Sequence, residues 1–268
     1  MAGSCLFALS LSTHAAESCT PAHKFSTITP GVLSVATWDF PPFSIPAGST
    51  DVKGVDGEII KLIAAKECLK LSFSNVDAAA VIQSVVSGKA DIGMGDWYRS
   101  AARAKVLGLT GPMYLDQMGA ISKDGATDVQ QMKGKRVGTV QGYVWVADLQ
   151  KLLGGSLTLY PNPIAMAQDL AAGRIDIGTD SYAVSIYNQK KGAYQNMKVT
   201  VLKPSPEVGS TREPGQTTLP YTKSNQALGD ALTADIEALR QSGDIARILK
   251  EHGLDPGAAQ VGAPRLIE

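Results

Sequence analysis

Hydrophobic and polar positions along the chain change period repeatedly. Val32-Leu33-Ser34-Val35-Ala36 is a short run of β-type residues that ends in Trp38-Asp39-Phe40-Pro41-Pro42-Phe43. The paired prolines stop either a strand or a helix from continuing there. In Glu58-Ile59-Ile60-Lys61-Leu62-Ile63 the apolar residues fall on one side of a helix, and Val81, Ile82, Val85 and Val86 repeat that spacing until Gly88 ends it. Strand, helix, strand in this order predicts an α/β fold wound β-α-β. Near the C-terminus Leu228, Leu232, Ile236 and Leu239 lie at helical spacing. Gly243 interrupts, and Ile245, Ile248 and Leu249 begin a further helix that Gly253 and Pro256 close.

The pattern also repeats itself. Ser87-Gly88-Lys89-Ala90-Asp91-Ile92-Gly93-Met94-Gly95-Asp96 is echoed by Ala172-Gly173-Arg174-Ile175-Asp176-Ile177-Gly178-Thr179-Asp180. Each copy reads as a helix end, a glycine, a basic residue, a strand opening at Asp-Ile-Gly, and then an acid. Val32–Thr37 and Arg136–Gln141 form a second echo, each opening its half of the chain as a strand. One copy per half predicts two similar lobes. The stretches near Gln117–Ser122 and Gln216–Leu219 are then paired connections, and a double connection is a hinge. The predicted layout is lobe 1 from 31–116 plus 221–255, lobe 2 from 122–214, and hinges near 117–121 and 215–220.

Composition narrows the function classes. A chain of 268 residues with 44% hydrophobic content can bury two cores without metal or disulfide support. Lys+Arg and Asp+Glu both number 25, so the basic excess with which nucleic-acid binders displace counterions is missing. Past the first dozen residues no apolar run approaches the roughly 20 residues that cross a bilayer. Cys5–Leu11 is a short apolar run followed by His14-Ala15-Ala16, which reads as a signal peptide over residues 1–16 cleaved after Ala16, although Met1–Ser4 carry no basic residue. Export places the mature protein in an oxidising compartment. There Cys19 and Cys68 either pair or remain small separate thiols. Neither a cofactor motif nor a Cys/His cluster with metal-ligand spacing is present.

Phe40-Pro41-Pro42-Phe43, Gly54-Val55-Asp56-Gly57-Glu58-Ile59, Gly88-Lys89-Ala90-Asp91 leading to Arg103, Gly134-Lys135-Arg136-Val137-Gly138, Gln141-Gly142, Gly173-Arg174-Ile175-Asp176 and Leu239-Arg240-Gln241-Ser242-Gly243 follow one another from about Gly31 to Asp255. In that order they resemble the family 3 extracellular solute-binding proteins. The resemblance implies the two-lobed type II periplasmic binding fold. It implies a periplasmic receptor, monomeric and without cofactor, that closes on a small amino acid or related zwitterion or amine and delivers it to the permease of an ABC importer.

The resemblance also implies site residues. Arg103 matches the arginine that holds a ligand carboxylate, a task suited to two parallel N–H donors that stay charged when buried. Otherwise it is a solvated residue on a helix from Ser100 to Val106, where Arg99 and Lys105 are read as ordinary surface charges. Asp180 corresponds to the acid that takes an α-ammonium, or else caps the helix starting near Ser181. Its stretch is one residue shorter than is usual. Phe40 stands where an aromatic stacks on the ligand, while Phe43 reads as core. Asp96 and Tyr98 occupy positions where hydroxyl residues are usual. Asp96 either pairs with Arg103 or receives a second cationic group of the ligand, and Trp97 and Tyr98 offer faces suited to cations. Gln141 and Tyr143 complete the candidate ligand contacts, with Val144 in place of a Ser or Thr and Ala78 in place of a bulkier side chain.

A second class remains open at this stage. Exported enzymes resembling cyclohexadienyl or arogenate dehydratases use the same fold and need a general acid or base in the cleft, for which Asp96 and Asp180 are the candidates. A ligand-sensing partner of a membrane receptor has the same sequence pattern.

Overall fold

A computed structural model of the chain describes residues 19–268. The signal-like run and the cleavage position after Ala16 lie outside the described residues.

Val32–Thr37 lies inside a five-stranded sheet whose order is Lys70–Asn75, Val32–Thr37, Ile92–Gly93, Pro220–Tyr221, Gly108–Leu109. The first three strands are parallel, and the last two are antiparallel to their neighbours. Parallel strands need crossover helices that cover the sheet. Helix Val55–Lys66 buries Val55, Ile59, Ile60 and Ile63, and helix Ala78–Val86 buries Ala78, Val81 and Val85. The helices Gln226–Gln241 and Asp244–Glu251 return to this core through Leu228, Leu232, Ile236, Ile245, Ile248 and Leu249.

The second sheet has the same plan, in the order Leu157–Tyr160, Val137–Val140, Ile177–Ser181, Met118–Ser122, Lys198–Val201. Again the first three strands are parallel and the fourth is antiparallel. The repeated motif does the same work in both lobes. Gly88 and Gly173 each end a helix at φ 68°, a left-handed conformation that glycine adopts without steric cost. The next acid then holds the start of the neighbouring strand. Asp91 donates its N–H to Ser34 O and accepts from Ser34 N, and Asp176 donates to Arg136 O and accepts from Arg136 N.

An antiparallel ribbon of Trp97–Tyr98, Gly215–Thr218 and Leu115–Asp116 lies between the two sheets. Met118–Ser122, part of the stretch expected as a connection, is a fully buried strand of the second sheet, so the chain crosses over just before it. The C-terminal tail lies along the ribbon. The Gln216 side-chain amide donates to Val261 O and Ala263 O and accepts from Arg265 N. Arg99 corrects a sequence expectation, because it is not a surface charge. Its guanidinium is half-buried and donates to the carbonyls of Arg265, Leu109 and Thr110, where loose water contacts are replaced by fixed acceptors.

Cys19 and Cys68 are disulfide-bonded, with Cα atoms 5.7 Å apart. His23 continues the attachment of the N-terminal segment. Its N–H donates to Glu67 Oε2 at 3.0 Å and its Nδ1 lies 2.6 Å from Glu67 Oε1, while Lys66 Nζ pairs with the buried Asp235 at 2.7 Å.

Candidate functional site

The first lobe presents an acid on a turn held from behind. After strand Ile92–Gly93 the backbone enters positive φ at Gly95 (119°) and Asp96 (58°). A Cβ on Gly95 would sit 2.3 Å from Trp38 Nε1, so only glycine allows this approach, and Gly95 O accepts from that Nε1 at 3.1 Å. Asp56, buried in the first turn of helix Val55–Lys66, accepts from Gly95 N at 3.0 Å, Asp96 N at 2.9 Å and the Tyr114 hydroxyl. Loss of hydration raises the Asp56 carboxyl to about 6 despite these donors. The turn carries Asp96 into the cleft, where its Oδ1 is buried without a hydrogen-bond partner. Burial, then the charges of Asp116, Asp56 and Asp180, push the Asp96 carboxyl well above its ordinary value.

The second lobe brings its acid on a strand end. Asp180 is fully buried in Ile177–Ser181. Its Oδ1 accepts from the Tyr143 hydroxyl at 2.6 Å and from Ser181 N at 2.8 Å, while Oδ2 has no partner. Burial raises it to about 7 against the pull of those donors. Ser181, not Asp180, caps helix Tyr182–Lys190, because its hydroxyl accepts from Val184 N. The acid is thus free of the capping task.

A third acid, Asp116, escaped the sequence reading. It is buried in the ribbon, accepts from the Tyr98 hydroxyl at 2.9 Å, and is raised by burial. No motif marks Tyr114-Leu115-Asp116-Gln117. Only the pairing of Gly215 with Asp116 across the ribbon brings this residue to the cleft.

Aromatic rings from both lobes enclose the acids. Trp38 and Phe40 stack with centroids 4.2 Å apart, and Tyr143 meets both edge-on at 6.1 Å. Trp145 meets Tyr143 at 4.8 Å and Tyr98 at 5.9 Å, also edge-on. Between them lies a cavity of about 20 Å³ bounded by Phe40, Asp96, Tyr98, Arg103 and Tyr143, so the lobes are closed on one another. Outside it, a cleft of about 530 Å³ opens between Trp38, Asp77 and Ala78 on one lobe and Asn162, Ile164 and Asn188 on the other. Phe43 is core, stacked on Tyr114 at 5.3 Å.

Arg103 lies in helix Ala101–Val106, whose N-cap is Ser100. Its guanidinium sits 4.7 Å above the Trp97 ring, donates to Tyr98 O at 2.7 Å, and reaches across to Gly142 O at 3.0 Å. Burial lowers it to about 10, opposed by Asp96 and Tyr98, and it remains charged at neutral pH. Gln141 stands apart from the other sequence candidates, because it is exposed and does not bound the inner cavity. The structure therefore brings together Phe40, Asp96, Tyr98, Arg103, Tyr143 and Asp180, and adds Asp116, Trp38 and Trp145.

The family model for bacterial extracellular solute-binding proteins, family 3, matches residues 33–255. No curated protein matches the chain. Among solved structures, the substrate-binding protein of an amino acid ABC transporter is 21% identical with a TM-score of 0.73, covering 82% of this chain and 98% of its own. AbpA of Streptococcus pneumoniae, an amino acid ABC transporter substrate-binding protein bound to L-arginine, is 24% identical with a TM-score of 0.73, covering 85% and 96%. A solute receptor for L-cysteine of Neisseria gonorrhoeae is 20% identical with a TM-score of 0.71, covering 86% and 93%. At these identities the structural likeness establishes the two-lobed fold.

Proposed function

Because the chain belongs to the bacterial extracellular solute-binding proteins of family 3, we propose that it is the exported binding component of an ABC importer, which closes on a small ammonium-bearing solute and presents it to a permease. The observation that carries this reading is a pair of buried acids from opposite lobes, Asp96 on the inner cavity and Asp180 behind its wall residue Tyr143, each with one oxygen unpartnered. A buried carboxylate without a partner is costly, and a ligand cation arriving between the two offsets that cost. Closure then follows from linkage, because only the closed arrangement lets one ligand touch both lobes.

In this reading residues 31–116 and 221–255 move as one body against 118–214, bending in the crossing just before Met118 and near 215–220. The protein works as a periplasmic monomer. Among the described residues no helix is long and apolar enough to cross a membrane, which accords with that placement. Asp96, Asp180, Phe40, Tyr98, Tyr143 and Arg103 form the binding site. The enzymic alternative has no separate observation in its favour.

Native mass spectrometry of gently purified protein, followed by X-ray scattering of stripped protein with the recovered solute, tests the proposal. A retained small molecule that returns unchanged after prolonged incubation, and that reduces the radius of gyration, is the expected result. An unchanged radius at saturation, or a chemically altered solute, refutes binding by closure.

A further inference from the structure

We infer that the solute is an organic ammonium ion without a carboxylate, held by Asp96 and Asp180 inside the aromatic enclosure of Trp38, Phe40, Tyr143 and Trp145. This rests on the binding-protein reading above and narrows it.

The first ground is the charge inventory. Asp96 bounds the inner cavity, Asp180 stands behind Tyr143 and Asp116 behind Tyr98, and all three acids are less than a tenth exposed. A single guanidinium, Arg103, accompanies them. A cation favours the ionised form of these raised acids, whereas a zwitterion brings its own carboxylate to a place that already disfavours negative charge. The carboxylate of a zwitterion would also enter beside like charges, which is unfavourable at low dielectric.

The second ground is where the cation of the site points its donors. Arg103 donates to Tyr98 O and, across the cleft, to Gly142 O, and its Cζ lies 4.7 Å from the Trp97 ring centroid. These contacts tie the lobes by main-chain acceptors and engage both terminal nitrogens, the pair that a bidentate carboxylate would take. Ser100 and Ser181, the hydroxyl residues nearest the two helix starts, accept from Arg103 N and Val184 N as caps. Val144, which bounds the inner cavity, offers no hydroxyl.

The third ground is the pair of orphan acceptors. Asp96 Oδ1 and Asp180 Oδ2 are buried without partners, and both need donors rather than further acceptors. Aromatic faces suit the same guest, since their negative quadrupole attracts an ammonium group and its alkyl carbons. Trp38 borders both the inner cavity and the outer cleft, so the remainder of a longer amine leads outward past its ring.

Calorimetric titration of the stripped, disulfide-intact protein with decarboxylated pairs decides the matter: ethanolamine against L-serine, putrescine against L-ornithine, agmatine against L-arginine, and histamine against L-histidine. At least one amine is expected to bind tenfold or more tightly than its parent amino acid, and Asp180→Asn is expected to weaken that amine tenfold or more. If the tightest ligand is an amino acid, the carboxylate is recognised and the inference falls while the binding-protein reading stands. A loss of less than tenfold in Asp180→Asn, in a variant that still melts cooperatively, also overturns it. If no amine or amino acid binds, both readings fall.

Discussion

The two lobes share a frame and part company one residue beyond it. Counted from the acid that opens the third strand, Asp180 follows Asp176 by four positions and Asp96 follows Asp91 by five. Successive side chains on a strand alternate faces, so an added residue would turn the second acid away. In the first lobe the chain corrects this with positive φ at Gly95 and Asp96, and the buried Asp56 carboxylate holds the turn. The second lobe needs no such device, because its acid is still in the strand. A repeat thus conserves what supports the backbone and leaves chemistry to the residues just past the strand end.

The largest expected effect separates the lobes by stability. Among the described residues only the first lobe is stapled, by Cys19–Cys68 across 49 residues. Closing a loop of that size is worth about 4 kcal/mol in the chain-entropy account, or roughly 10 °C in melting temperature for a protein of this size. Reduction should therefore lower the melting temperature, with faster amide exchange concentrated in the first lobe. Equal loss of protection in both lobes would mean that they unfold as one unit.

Next comes affinity. Asp96→Asn and Asp180→Asn should each weaken ligand binding by about 2–5 kcal/mol, roughly 30-fold or more, since each removes one partner of a buried charged contact. Calorimetry on the two variants compares the acids directly. If only one matters, the lobes do not share the ligand's charge.

The third test is pH dependence without ligand. Asp56 and Asp180 titrate in the folded protein at about 6 and about 7, above the value of about 3.9 for an unfolded aspartate. Between these values the native state keeps protons that the unfolded state has lost, so stability falls as pH rises. Their contribution is fully present below about pH 4 and lost through about pH 7. Asp96 and Asp116, also raised, act in the same direction, while the Tyr143 hydroxyl and Ser181 N oppose the shift of Asp180. Thermal melts should show ligand-free protein more stable near pH 5 than near pH 8, with a shallower slope in Asp180→Asn. An identical slope in that variant would place the titrating group elsewhere.

The smallest difference concerns the paired structural acids. Asp91 is buried and accepts from Ile28 N, Ser34 N and the Ser34 hydroxyl, whereas Asp176 is partly exposed and pairs with Arg136, which holds it down at about 2. Asp91→Ala should cost about 1–3 kcal/mol because buried donors are stranded, and Asp176→Ala less, since exposed ion pairs contribute about 0–1 kcal/mol. Chemical denaturation of the two variants reads this ranking, and a reversed order would mean that the second copy carries the frame.

Much of this frame was legible beforehand. Apolar spacing located the helices over 55–66, 78–86, 226–241 and 244–251, and the repeated Gly-x-x-Asp-Ile-Gly located the paired third strands. The candidate acids Asp96 and Asp180 were also visible, because they stand at strand ends that face a cleft in any fold of this kind. Arg99 was misread, since its helix-start neighbourhood looks solvated in sequence and only the returning C-terminal tail buries it. Asp116 was missed because only the pairing of Gly215 across the ribbon brings it in, and Gln141, named on the family resemblance, is exposed outside the inner cavity.

By itself, then, the sequence determined the α/β winding and the two-fold repetition, because these depend on periodicity and on glycines and acids acting within a few residues of themselves, and the order of its motifs carried the resemblance to the family. Tertiary structure alone decided which charges are left without partners. That outcome depends on contacts between residues far apart in the chain, as when Gly215 pairs with Asp116, Tyr143 reaches Asp180, or Arg103 crosses to Gly142. Desolvation then makes a carboxylate costly or useful according to what lies opposite, and no local pattern encodes that.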